Sequence, residues 1–263
     1  SRIKGGRLAA ACGPARVLTF ITVRAALALA LAFAISLLIG PWVIRRLAAL
    51  KAGQVIRHSR GDNAVDLAAM HGAKAGTPTM GGLLMLFSLL LPALLLCRLN
   101  NIHFILLLTM TFGYGALGFW DDYLKIVRKH HGGVSPWRKI AVQAALAVVL
   151  AFTLYAGDWG VYYHPADASG YPFLMLPFFK YLYLPLGLFF IPFVVLVLLA
   201  TSNAVNLTDG LDGLAIGISI ANIAAFLIVA YLMSRADFSR YLYVPYIPGG
   251  GEMVVFLAAL LGS

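Results

Sequence analysis

The sequence predicts an all-α, polytopic membrane bundle, and three observations carry that expectation. Of the 263 residues, 61% are hydrophobic and only 11% charged, a balance foreign to soluble globular domains. The apolar residues fall into uncharged runs that reach or approach the roughly 20 residues needed to cross a bilayer. The charges gather between those runs: eleven of the twenty Lys and Arg lie in two connections, 45–79 and 121–139. Six complete spans and the start of a seventh are expected, within one transmembrane domain covering 1–263.

Residues 1–16, with Arg2, Lys4, Arg7 and Arg16, read as a basic arm. The first span is Val17 to about Ile44, with Pro41 marking its exit. Arg24 lies near its outer end, where a long side chain can snorkel to the headgroups. After the polar connection 45–79 comes a second span, Gly81 to Cys97, and then a third, Leu99 to Trp120. His103 near its start reads as an interfacial side chain. The polar stretch 121–139 leads to a fourth span, Ile140 to Ala156. Residues 157–180 mix Trp159, Tyr162, Tyr163 and Tyr171 with Pro165, Pro172 and Pro177, which suits an interfacial segment. A fifth span, Tyr181 to Ala200, and a sixth, Leu214 to Met233, flank the polar segment 201–213. Residues 235–251 read as an outer loop, and Met253 opens the seventh span. The chain begins at Ser1 and stops inside an apolar run at Ser263, so a longer parent is expected; no cleavable signal is convincing.

The net charge of +10 is assigned to topology, to bilayer lipid and to phosphorylated substrates; no nucleic-acid partner is expected. Cys12 and Cys97 offer neither a disulfide framework nor metal spacing. Positive-inside bias places 45–79 and 121–139 in the cytoplasm, against the basic amino-terminal arm. Parity agrees, because two spans separate each of 45–79, 121–139 and 201–213 from the next. All three polar segments then share one membrane face.

Chemistry concentrates in those segments. Asn203-Ala-Val-Asn206-Leu-Thr-Asp209-Gly-Leu-Asp212-Gly213 sets amides and acids at the mouth of the membrane, where unengaged polar groups are costly. If the segment is helical, Asn206, Asp209 and Asp212 stack within a third of its circumference, an oxygen-rich face for a hard cation or a polar head. The alternative is a polar loop with capping acids. Asp121 and Asp122 point about 100° apart on a helix, so one can face a metal or nucleophile while the other meets a neighbour. A surface pair with Lys125 is the plainer reading of that neighbour. Lys74-Ala-Gly-Thr77-Pro-Thr79-Met-Gly-Gly82 supplies a cation, two hydroxyls and backbone N–H groups, which phosphate oxygens need; a Pro-Thr helix start with good capping explains it equally. His130-His131 reads as a solvated loop. Together these groups suit Mg²⁺-assisted phosphoryl transfer at a water–lipid boundary.

At these residues the sequence resembles the phospho-N-acetylmuramoyl-pentapeptide-transferase family. The likeness rests on Lys74 to Gly82, on Gly118-Phe-Trp-Asp-Asp-Tyr123 and on Asn203 to Ala215. The second string also occurs in the wider polyprenyl-phosphate sugar-phosphate transferases. The resemblance implies transfer of phospho-MurNAc-pentapeptide from UDP-MurNAc-pentapeptide to undecaprenyl phosphate, giving lipid I and UMP, with Mg²⁺ required. It implies a multi-pass protein of the bacterial cytoplasmic membrane, active on its cytoplasmic face, with about ten spans in the parent. By motif position, Asp121 and Asp122 match acids near the acceptor phosphate, either deprotonating it or holding it for attack. Lys74 and Thr79, with Thr77, match positions that handle phosphate or nucleotide. Asn203, Asn206, Asp209 and Asp212 match the nucleotide-sugar and metal cleft, with Asn206 and Asp209 expected at the nucleotide, Asp209 also at the metal, and Asp212 structural or on the uracil side. The family's main metal aspartate and a histidine-rich loop are expected beyond Ser263, so this fragment is expected to be incomplete. A homodimer is compatible with the sequence, which sets no oligomeric state. The competing readings are a polyprenyl-phosphate GlcNAc-1-phosphate transferase, disfavoured by the Thr77 to Gly82 string, and a cation-coupled transporter, which would keep its acids nearer mid-membrane.

Overall fold

The computed structural model describes residues 17–49, 81–126, 128, 133–157, 172–176, 182–209 and 213–263. In chain order the helices are α1 (Ile21–Ala49), α2 (Gly82–Leu96), α3 (Ile102–Ile126), α4 (Pro136–Ala156), α5 (Phe190–Thr208), α6 (Leu214–Met233), α7 (Ala236–Leu242) and α8 (Gly251–Gly262). Five of them, α1 and α3 to α6, are long and apolar enough to cross a membrane, whereas α2 and α8 are shorter apolar helices. The protein is a multi-pass helical membrane bundle.

The sixth span falls where the hydropathy places it; the other boundaries shift for identifiable reasons. Pro41 does not end the first span, because α1 continues through it to Ala49. A proline removes one ladder hydrogen bond, but beyond it Trp42 and Arg46 stack one turn apart, the guanidinium 5.6 Å from the ring centroid. The third span outlasts Trp120 by six residues; it starts where Asn101 Oδ1 accepts the Phe104 N–H at 3.1 Å, a side-chain cap. Helix α4 starts four residues ahead of Ile140, with Ser135 at the N-cap and Pro136 in the first turn. The second span is only 15 residues long, about 22 Å at 1.5 Å per residue, short of a full hydrocarbon crossing.

Two expected elements change character. The stretch read as an interfacial segment followed by the fifth span contains an antiparallel pair, β1 (Phe173–Met175) and β2 (Tyr183–Pro185), in register Leu174 to Leu184. After Pro185 a single 3₁₀ turn, Gly187–Phe189, leads directly into α5 at Phe190. The outer loop 235–251 contains the short helix α7, entered by an Arg235–Asp237 pair at 3.0 Å.

Helix α8 is the hub. It packs on α1 most extensively, then on α6, α2 and α3, while α4 and α5 form a second tight pair. The α1–α8 seam is built from small residues: Ala25, Ala28 and Ala32 are buried on one side, Val255, Ala258 and Ala259 on the other. In lipid, helices associate through such close van der Waals packing, since the tails are as apolar as the side chains. Gly262 shows how close the approach is, for a Cβ there would fall on the Leu29 carbonyl oxygen. Gly262→Ala is expected to cost about 1–3 kcal/mol by overpacking, read as a lower unfolding midpoint in detergent. Gly217→Ala on α6, where no atom of the described residues lies within 4 Å, is expected to raise that midpoint slightly, by the helix preference of alanine of up to about 1 kcal/mol.

One expectation is overturned outright. Arg24 does not snorkel; its side chain is buried and grips Glu252 of α8 through two hydrogen bonds of 2.8 and 2.9 Å. Its Nη1 also donates to the Leu96 carbonyl oxygen, and Glu252 accepts the Arg98 backbone N–H at 2.9 Å. A cation shielded from water needs a partner more than it needs a headgroup. The network ties the starts of α1 and α8 to the end of α2. Nearby, Asn101 Nδ2 donates to the Gly249 carbonyl oxygen and the His103 ring lies 3.2 Å from that of Pro248.

Candidate active-site cleft at the inner rim

At the other end of α2 and α3 a cleft of about 690 Å³ opens between the two helical groups. One wall is α2 and α3, with Leu260 of α8. The other is α4 and α5, which contribute Lys139, Gln143, Ser202, Asn206 and Asp209. Asp121, Asp122 and Lys125 complete the polar mouth, on the last turns of α3. Residues of two of the three polar segments, 121–139 and 201–213, thus share one compartment.

The adjacent acids are used differently. Asp121 is buried and engaged on every side. Lys125, one turn on, pairs with its Oδ2, Lys139 of α4 reaches the same oxygen at 3.0 Å, and the Val134 N–H donates to Oδ1 at 2.8 Å. Gly133 makes this possible: its φ is +61°, and a Cβ there would collide with Asp121 Oδ1. Asp121 therefore clamps the α3–α4 connection and holds two ammonium groups at the cleft mouth. Both acids expected to be catalytic reach the same cleft, Asp121 together with the cations it holds. Asp122, about 100° around the helix, is half-buried and lines the cleft.

The amide-rich motif is also divided. Helix α5 runs through Asn203 and Asn206 and ends at Thr208; Asp209 is its C-cap, with ψ +40°. Gly213, at φ +78°, starts α6. An unbroken helix through Asp209 is thus replaced by a turn after one helical step. Asn206 and Asp209 face the cleft. Asn203 is not among its lining residues, because its Nδ2 donates to Gln143 Oε1 at 2.9 Å and to the Leu199 carbonyl at 2.8 Å, fastening α5 to α4. Lys74, Thr77, Thr79, Asp212 and the pair His130-His131 lie outside the described residues.

Sequence reasoning passed over Gln143 and Tyr114, and gave Ser202 no role of its own within the polar segment 201–213. The signal for the first two was present: each is a polar group inside an apolar run, where an unengaged one is costly. Tyr114 lies seven residues before Asp121 on one face of α3, and its hydroxyl is buried beside Ser202 without a well-formed hydrogen bond. The cleft is accordingly graded, with acids, amides and ammoniums at the rim and hydroxyls and leucines below.

Oxygen donors of this kind fit a hard divalent cation, which takes one or two carboxylates and completes its shell with water and phosphate. Among the described residues no cluster of three or more acids, His or Cys occurs, so Asp122 and Asp209 are partial ligands at most. The ammonium of Lys139 suits phosphate oxygens.

Residues 104–262, from the first turn of α3 to the end of α8, match the model of glycosyl transferase family 4. Residues 74–86, which run into the first turn of α2, match phospho-N-acetylmuramoyl-pentapeptide-transferase signature 1. The chain is similar to the phospho-N-acetylmuramoyl-pentapeptide-transferase of Citrifermentans bemidjiense, with 44% identity over 94% of this chain and 64% of the relative. It is 45% identical to that of Desulfovibrio desulfuricans over the same shares. The enzyme of Borrelia garinii subsp. bavariensis is 42% identical over 94% of this chain and 66% of its own. The chain thus spans a little under two thirds of the length of these relatives. By its matched helices and its signature, the chain belongs to glycosyl transferase family 4 and groups there with the phospho-N-acetylmuramoyl-pentapeptide-transferases.

Proposed function

We propose that the full-length protein transfers phospho-MurNAc-pentapeptide from UDP-MurNAc-pentapeptide to undecaprenyl phosphate, releasing UMP and forming lipid I. The observation that carries this reading is the graded cleft, in which Asp122, Asn206, Asp209 and Lys139 meet at the rim of a membrane bundle above an apolar shaft. A water-soluble diphosphate and a lipid phosphate need both halves. The relatives named above are transferases of this kind, which supports the same substrates here.

A phosphate oxygen of the acceptor attacks the sugar-bearing phosphorus of the donor, and the bond from that phosphorus to the bridging oxygen breaks. One pyrophosphate link forms as another is lost, and UMP departs with the bridging oxygen. Asp122 holds the acceptor phosphate or takes its remaining proton. Asn206 and Asp209 orient the nucleotide diphosphate, and Lys139, positioned by Asp121, offsets phosphate charge. Asp209 is the cleft residue that would hold Mg²⁺, and the ion would supply charge neutralisation for the diphosphate when bound. The excess of Lys and Arg in the connections 45–79 and 121–139 supports a cytoplasmic orientation of this rim at a bacterial inner membrane.

The reading is tested by incubating the full-length protein with undecaprenyl phosphate and either UDP-MurNAc-pentapeptide or UDP-GlcNAc, with and without Mg²⁺. UMP release from the first donor alone, and only with the metal, is the expected result. Release from UDP-GlcNAc alone identifies a GlcNAc-1-phosphate transferase, and release from neither removes the transferase reading.

A further inference from the structure

Among the described residues, helix α5 is held mainly from one side. None of its residues is fully buried, and it packs closely on α4 but only slightly on α6. Ser202, Asn206 and Asp209 all line the cleft, and their spacing of four and then three residues puts them on one face of the helix. A modest rotation about the helix axis would turn that face away. Asn203 lies about 60° around the helix from Asn206 and is directed at α4. Its Nδ2 donates to Gln143 Oε1 at 2.9 Å and to the Leu199 carbonyl oxygen at 2.8 Å. The Leu199 carbonyl can only accept, so the group facing it is the amide nitrogen, and Gln143 must meet that nitrogen with its oxygen. The hydroxyls of Thr201, Ser202 and Thr208, by contrast, turn back to carbonyls of α5 itself.

Gln143 is only 8% exposed and stands one turn after Lys139, both lining the cleft from α4. Lys139 in turn reaches Asp121 of α3 at 3.0 Å. Two successive turns of α4 are thus tied, one to α3 and one to α5. Helix α4 thereby sets the register between the acids of α3 and the Asn206–Asp209 face of α5. One interhelical hydrogen bond contributes little to the stability of a membrane bundle; the consequence of this one is orientation. We propose that Gln143 is a positioning residue for the nucleotide donor: by holding Asn203 it fixes the rotation of α5 that presents Asn206 and Asp209 to the cleft. Gln143 and Asn203 act through those two side chains. This deepens the transfer reaction proposed above and rests on it.

The experiment uses the full-length protein in detergent. Gln143→Met keeps the length of the side chain and removes the hydrogen bond, and Asn203→Leu removes it from the other helix. Each variant raises the KM for UDP-MurNAc-pentapeptide about tenfold, with kcat within a few-fold and the KM for undecaprenyl phosphate unchanged. The double variant Gln143→Met/Asn203→Leu is no worse than either single one, because all three lose the same bond. Thr153→Val, which removes a hydrogen bond internal to α4, leaves both KM values unchanged. Hydrogen exchange reads the clamp without turnover: amides 203–208 exchange about tenfold faster in each Gln143 or Asn203 variant, and those of α3 keep the wild-type rate. Single-variant effects that multiply in the double variant put a side chain of the pair on the substrate and overturn the proposal. An unchanged donor KM, or unchanged exchange at the end of α5, overturns it as well. If Gln143→Met does not fold, Asn203→Leu carries the same tests. A protein whose α5 exchange responds but which releases no UMP keeps the clamp and loses the reaction.

Discussion

Asp122→Asn in the full-length protein abolishes phospho-sugar transfer, lowering kcat by about a thousandfold or more, and Asp209→Asn does the same. Asparagine keeps the shape of each side chain and removes its charge and its capacity to take a proton. The two carboxylates stand on different helices, at the end of α3 and the C-cap of α5, and face one cleft. Both variants are expected to keep the fold, read as a cooperative unfolding transition in detergent. Asp121→Asn provides the contrast. Its carboxylate holds Lys125, Lys139 and the Val134 N–H, so its loss lowers the midpoint and loosens the α3–α4 connection. Its activity loss is smaller, and Asp121→Glu restores part of the midpoint without matching wild-type turnover. Steady-state UMP release and thermal unfolding in detergent decide the matter. Turnover within a few-fold of wild type in Asp122→Asn or Asp209→Asn removes that residue from the site.

Breaking the buried ion pair at the opposite rim unfolds the bundle without touching the chemistry. Glu252→Leu leaves the buried Arg24 charge with only the Leu96 carbonyl oxygen, at a cost of about 3–5 kcal/mol; Arg24→Leu costs less, because Glu252 keeps the Arg98 N–H and, at 3.8 Å, the Arg98 guanidinium. The double variant Arg24→Leu/Glu252→Leu recovers most of that loss, because neither charge is then stranded and leucines suit a lipid-depth site. The pair sits at the far end of α2 from the cleft, so folded molecules of every variant keep wild-type kcat. Unfolding of each single variant within about 1 kcal/mol of wild type would contradict the pair's assigned role as a lock on α1, α2 and α8.

Particular residues show how far the sequence could be read. The spans announced themselves because a bilayer demands local, contiguous apolar length, and Leu214–Met233 falls where hydropathy put it. Asp122, Asn206 and Asp209 stood out because polar groups at membrane depth are costly, and parity of the crossings put them on one face. Pro41 misled because a proline ends a helix in one setting and is carried through in another, according to the packing around it. Tyr181 to Ala200 misled because a strand and an apolar helix start share one composition.

By itself the sequence determined the class, the order of the crossings and the short strings that carry chemistry, all of which depend on neighbours within a few residues. Tertiary structure alone decided which polar group meets which. Arg24 and Glu252 are 228 positions apart and Asn203 and Gln143 are 60, and no local pattern encodes such pairings. It also divided Asp121 from Asp122, since identical carboxylates one residue apart differ only in what the rest of the fold brings against them.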